Sequence, residues 1–161
     1  MYEKILVPLD GSELAERAVR HAEEIARGTG AEILLMQAVF IPTPIVPEAL
    51  LIAGGKAVKE ATKFAAGYLD RIAAPLRAEG LKVRTIVEDR PPADAILHTA
   101  EREEVDAIVM STHGRSGLSR LVMGSVAESV LHLTRRPVML VKPEPPAVVV
   151  QEDEDWYLHV P

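Results

Sequence analysis

Short apolar runs alternate along this chain with segments whose apolar residues recur every three or four positions. The runs over 4–9 (KILVPL), 33–40, 82–87, 107–110 and 138–141 predict five strands. The first ends at Asp10-Gly11-Ser12, where Ser12 is a good N-cap and Glu13 and Glu16 suit the first turn of a helix. That helix carries Leu14, Ala18, Ala22 and Ile25 on one stripe and stops near Gly28 and Gly30. A long helix is predicted over 56–78, with Ala57, Ala61, Phe64, Tyr68, Ile72 and Leu76 at helical spacing and Pro75 bending its last turns. Before it, residues 41–55 (Pro42, Pro44 and Pro47, ending at Gly54-Gly55) predict a loop beside the site. A third helix is predicted over 92–103, with Ile96, Leu97 and Ala100 inward, and a fourth over 126–133.

Strand–helix alternation with near-continuous apolar strands predicts an α/β fold, an open five-stranded parallel sheet with helices on both faces. In such sheets ligands bind beyond the carboxyl ends of the strands, where the winding reverses. That rule draws together Pro8-Leu9-Asp10 and the stretch after strand four, MSTHGRSGLSRLVMGSVAESV. Here a buried-strand signal meets Gly114, Gly117 and Gly124, and a Gly-Ser pair opens an amphipathic helix. A helix start offers unpaired N–H groups and partial positive charge, and glycine lets a ligand approach that backbone closely. The pattern points to a phosphate-bearing ligand.

Composition narrows the partners. The net charge of −6 is uneven, because residues 144–161 hold Glu144, Glu152, Asp153, Glu154 and Asp155 and no Lys or Arg. The remaining nineteen of 24 acidic residues face all 18 basic ones, so the body over 1–143 is near neutral and has no basic footprint for nucleic acid. No apolar run reaches the roughly 18 residues that cross a membrane, and the first residues lack a signal-peptide pattern. With no cysteine there is neither a disulfide framework nor a thiolate zinc site. A cytoplasmic location is the expectation. The acidic stretch 144–161 predicts a tail, although Val148-Val149-Val150 and Trp156-Tyr157-Leu158 are unusual for a purely solvating segment.

The blocks KILVPLDGS, DAIVMSTHGRSGL, LVMGSVAESVL and RPVMLVK, spread over residues 2–142, resemble a universal stress protein. The nucleotide-binding branch of that family has a G-x2-G-x9-G-[ST] pattern. Gly114 and Gly124-Ser125 match its second and third elements, whereas Ser111 stands where its first glycine falls. The resemblance implies a flavodoxin-like sheet of order 3-2-1-4-5, a homodimer, and bound ATP, with Mg2+ accompanying the phosphates. It carries over Pro8 and Asp10 as adenosine-side contacts and Ala38 as lining of the adenine pocket. Met110, Ser111, His113 and Gly114 fall under the sugar and phosphates, and Gly124, Ser125, Val126 and Ala127 at the triphosphate. Leu9 joins this set by its place at the end of strand one, and Arg115 as a loop cation within reach of phosphate.

Each residue also has a plainer reading. Asp10 can cap a turn, His113 and Arg115 can be solvated, and Ser125 can simply N-cap its own helix. Ser111 would cost about 1–2 kcal/mol if the backbone there needs a positive φ, and little if a small side chain fits. The leading expectation is an ATP-binding regulatory protein with at most slow ATP hydrolysis, since no P-loop lysine or Ser-His-Asp order is present. The alternatives are a dimeric adaptor that binds no nucleotide, supported by Ser111 alone, and an adenylating enzyme, for which the residues are lacking. An apolar fifth strand at a sheet edge invites pairing, so a homodimer through that edge is expected.

Overall fold

A computed structural model describes residues 2–40, 48–112 and 123–142, with the side chains of 48–54 excepted. The element order is β1 (Lys4–Leu9), α1 (Glu13–Thr29), β2 (Glu32–Ala38), α2 (Glu48–Ala78), β3 (Val83–Glu88), α3 (Pro92–Arg102), β4 (Ala107–Ser111), α4 (Ser125–Leu133) and β5 (Val138–Val141). The five strands form one parallel sheet in the order β3-β2-β1-β4-β5. The predicted fold class and the strand order implied by the resemblance are both observed.

Successive side chains of a strand point to opposite faces, and both faces are covered. Ile5, Val7, Ile33, Leu35 and Val109 meet Ala15, Ala18, Ala22 and Ala26 of α1 and Leu69, Ala73 and Leu76 of α2. Leu6, Leu34, Met36, Ile108 and Met110 meet Ala95, Ile96 and Ala100 of α3 and Ala127 and Val130 of α4. This double burial is why the strands read as continuous apolar runs. Helix α1 approaches the sheet through alanines. Its start is fixed by Ser12, whose Oγ accepts from the Ala15 N–H at 3.2 Å, and its end by Gly30 in the left-handed region at φ 76°.

Three expectations from periodicity are corrected. Residues 48–55 belong to α2, so the predicted loop is shorter, and residues 41–47 lie outside the described residues. The buried stripe of α2 is Ala65, Leu69, Ala73 and Leu76, whereas Phe64 is 79% exposed. Adjacent stripes of an alanine-rich helix are both apolar enough to read as inward, and the side chain that the sheet accepts is decided by packing. For the same reason α1 buries Ala15, Val19 and Ala26 beside Ala18 and Ala22, while Leu14 is half-buried. Pro75 lies inside α2 and has no N–H to donate to the preceding turn.

Candidate functional site

The winding reverses between β1 and β4: the chain moves outward from β1 to β2 and β3, then crosses to β4 and β5. The carbonyl of Glu3 accepts from Glu32 of β2 and that of Lys4 from Asp106 beside β4. Alternation then aims the backbone of Leu6 and Pro8 at β4. Pro8 has no N–H, so it cannot continue the ladder. The β1–β4 register accordingly covers Ile5↔Ala107 and Leu6↔Ile108, whereas β1–β2 runs from Lys4↔Glu32 to Leu9↔Gln37. A crevice lies at the carboxyl ends where that ladder stops.

That crevice is a cavity of about 420 Å3, within the roughly 300–1,000 Å3 of small-molecule sites. One wall is apolar: Met36, Ala38, Ile96, Met110 and Ala127, with Pro92 at the start of α3. The other is polar: Asp10, Ser111, Thr112 and Ser125. Ten of the residues expected from the sequence line it together: Pro8, Leu9, Asp10, Ala38, Met110, Ser111, Gly124, Ser125, Val126 and Ala127. His113, Gly114 and Arg115 lie outside the described residues.

Asp10 is held by its own turn. Its Oδ1 accepts from the Ser12 N–H at 3.0 Å and from the Ser12 Oγ–H at 2.6 Å, with Gly11 between them at φ 82°. The turn-capping role and a place on the cavity wall therefore coexist. Ser111 closes β4 in register with Val141. Among the described residues Glu104 is the non-glycine with positive φ, so Ser111 has ordinary strand backbone.

At the start of α4 the N-cap is Gly124, with extended backbone at φ −64° and ψ 145°. Ser125 is the first helical residue, not the cap of its own helix. The Gly124 N–H donates to the Thr112 carbonyl at 2.7 Å, and the Thr112 N–H to Val141 at 3.0 Å. Within α4 the ladder begins with Glu128 N–H to the Gly124 carbonyl. The N–H groups of Ser125, Val126 and Ala127 thus have no acceptor inside the helix, and all three residues line the cavity. Gly124 lines the cavity with them, its own N–H being taken by the Thr112 carbonyl.

Sequence reasoning missed Ala15, Met36, Gln37, Pro92, Ile96 and Thr112. Met36 and Ile96 read as core, and they are core while also lining the cavity. Only strand register shows that Gln37 lies beside Leu9. Among the described residues no cluster of acidic residues and histidines is arranged to hold a metal ion, and no helix is long and apolar enough to cross a membrane.

The family model for the universal stress protein family matches residues 1–142. The chain belongs to this family. Its relatives include the universal stress protein MJ0531 of Methanocaldococcus jannaschii, 34% identical over 88% of this chain and 83% of that one. The solved structure of MJ0577 from the same organism superposes with a TM-score of 0.76 at 31% identity, covering 91% of this chain and 99% of the other. A universal stress protein of Archaeoglobus fulgidus, solved in complex with dAMP, superposes with a TM-score of 0.54 at 26% identity over 88% of this chain and 98% of its own.

Proposed function

We propose that this universal stress protein binds ATP in the crevice between β1 and β4 and acts as a nucleotide-responsive regulator. The observation that carries this reading is the meeting of an apolar wall with the three helix-start N–H groups of Ser125, Val126 and Ala127 in one cavity. The apolar wall of Met36, Ala38, Ile96 and Met110 suits a purine ring. Asp10, held in its turn, suits a ribose hydroxyl. N–H groups bonded to charged oxygens are worth about 1.5–3 kcal/mol each, so two or three support micromolar affinity. The Ser125 hydroxyl stands where it can bind phosphate or join the water shell of a Mg2+ carried in by ATP. The dAMP held by the relative from Archaeoglobus fulgidus is of the same ligand class.

The adaptor reading rested on Ser111, and the strand backbone there has no positive φ that would call for glycine. Turnover needs a positioned base, and the described residues offer Asp10 alone, already bonded to Ser12. The reading is therefore binding with at most slow hydrolysis. Calorimetric titration tests it. Saturable micromolar ATP binding is expected for the native chain, with at least about tenfold loss in Ser125→Glu, which sets a carboxylate against the phosphates while remaining compatible with a helix start. Absence of saturable binding by the native chain overturns the reading.

A further inference from the structure

Helix α2 turns an unusual face to solvent. Phe64 is 79% exposed, more than any other large apolar side chain among the described residues. It lines a groove of about 720 Å3 with Glu60, Lys63, Gly67, Tyr68 and Arg71. Phe64 and Tyr68 are one turn apart and form an aromatic wall. Gly67 leaves the floor open, since a Cβ there would meet nothing within 4 Å. The Arg71 guanidinium lies 5.5 Å from the centre of the Tyr68 ring, and the Tyr68 hydroxyl donates to Glu16 at 3.0 Å, so the Tyr68 ring is held in place. Exposed Lys56 and Lys59 extend the basic stripe along the same helix. After Glu48 at its start, the acids of α2 are Glu60 and Asp70, and Asp70 is paired with Arg77.

A groove with an aromatic wall and cationic rims fits an aromatic side chain embedded in acidic ones. This chain contains one such segment: Glu152, Asp153, Glu154 and Asp155 followed by Trp156 and Tyr157. The family model ends at residue 142, so this segment is additional to the shared fold. It can reach. Between Lys142 and Trp156 an extended chain spans about 45 Å, whereas crossing from β5 to β3 takes about 19 Å and rising to a covering helix about 10 Å more.

We propose that the acidic segment 152–157 docks on the Phe64–Tyr68 groove of its own chain, Trp156 seated against the aromatic wall and its acidic neighbours facing Lys59, Lys63 and Arg71. The pairing gives Phe64 an apolar partner and places the segment's charge against the strongest basic stripe on α2.

Trp156 is the sole tryptophan, so its fluorescence in the full chain reads the contact directly. Docking predicts emission blue-shifted and less quenched by acrylamide than in a free peptide of residues 144–161. Both effects should be lost in Phe64→Ala, in the double variant Lys63→Glu/Arg71→Glu, and at high salt, with the far-ultraviolet circular dichroism of α2 retained. These positions are exposed, so the variants keep the core. Emission identical to the free peptide overturns the proposal. A shift that survives all the substitutions puts Trp156 elsewhere, and a shift that fades on dilution assigns the groove to a second copy's segment; either overturns docking in the same chain.

Discussion

Ser111 sits at the end of β4, facing the crevice, with a backbone that glycine is not required to adopt. Replacing it by glycine is expected to lower stability by about 0.5–1 kcal/mol through added freedom of the unfolded chain, without strengthening ATP binding. A tighter ATP complex in Ser111→Gly would mean that the side chain crowds the ligand. A second residue acts through its charge. Asp106 Oδ2 accepts from the Glu3 and Lys4 N–H groups at 2.7 and 2.9 Å, and these bonds hold its carboxyl below the usual aspartate value. Arg84 and Arg102 likewise hold Glu103 low. A carboxyl depressed in the folded state adds stability above its ordinary value, lost as pH falls through the lower folded one. The melting temperature should therefore drop as the pH falls below about 4, and the drop should be shallower in Asp106→Asn. The role of Asp106 is not legible in a sequence, because its bonds join residues about a hundred positions apart.

At the scale of elements, the gap between β1 and β4 turns on one missing donor. Pro8→Ala supplies an N–H aimed at β4, so the ladder should extend into the crevice and weaken ATP binding, measured by the same titration. Unchanged affinity would show that the crevice is held open by something other than Pro8. Helix α1 ties the same site to its cap. Ser12→Ala removes the hydroxyl's bonds to Ala15 and Asp10 and leaves the backbone N–H bond to Asp10 in place, so a loss of about 1 kcal/mol in thermal unfolding should come with weaker nucleotide binding. Elements such as β1 and β5 were readable to the residue because apolar runs and turn residues bound them. The inward face of α2 was not, since Ala61-Phe64-Tyr68 and Ala65-Leu69-Ala73 are neighbouring apolar stripes, and only the sheet chooses between them.

Across the whole molecule, alternation and double burial made the sheet and its crevice legible, and the family resemblance supplied the order. Part of the cavity lining was hidden because Met36 and Ile96 belong to the core and line the cavity at once. The β5 edge has a consequence for assembly. Leu131 and Leu133 of α4 and Met139 of β5 are 43%, 67% and 44% exposed, and an uncovered apolar edge strand is a template for pairing. A two-fold dimer through β5 would cover them. Light scattering should report a dimer for the native chain and a monomer for Met139→Lys; a native monomer at micromolar concentration contradicts this arrangement.

The bond from the Gly124 N–H to the Thr112 carbonyl holds together the two ends of the stretch 113–123. The start of α4 is therefore tied to the end of β4 at the base of that stretch. Doubling a closed loop costs only about 0.6 kcal/mol. A peptide inserted in that stretch should therefore leave the register of the sheet and the start of α4 as they are, and an unchanged thermal unfolding midpoint would show it.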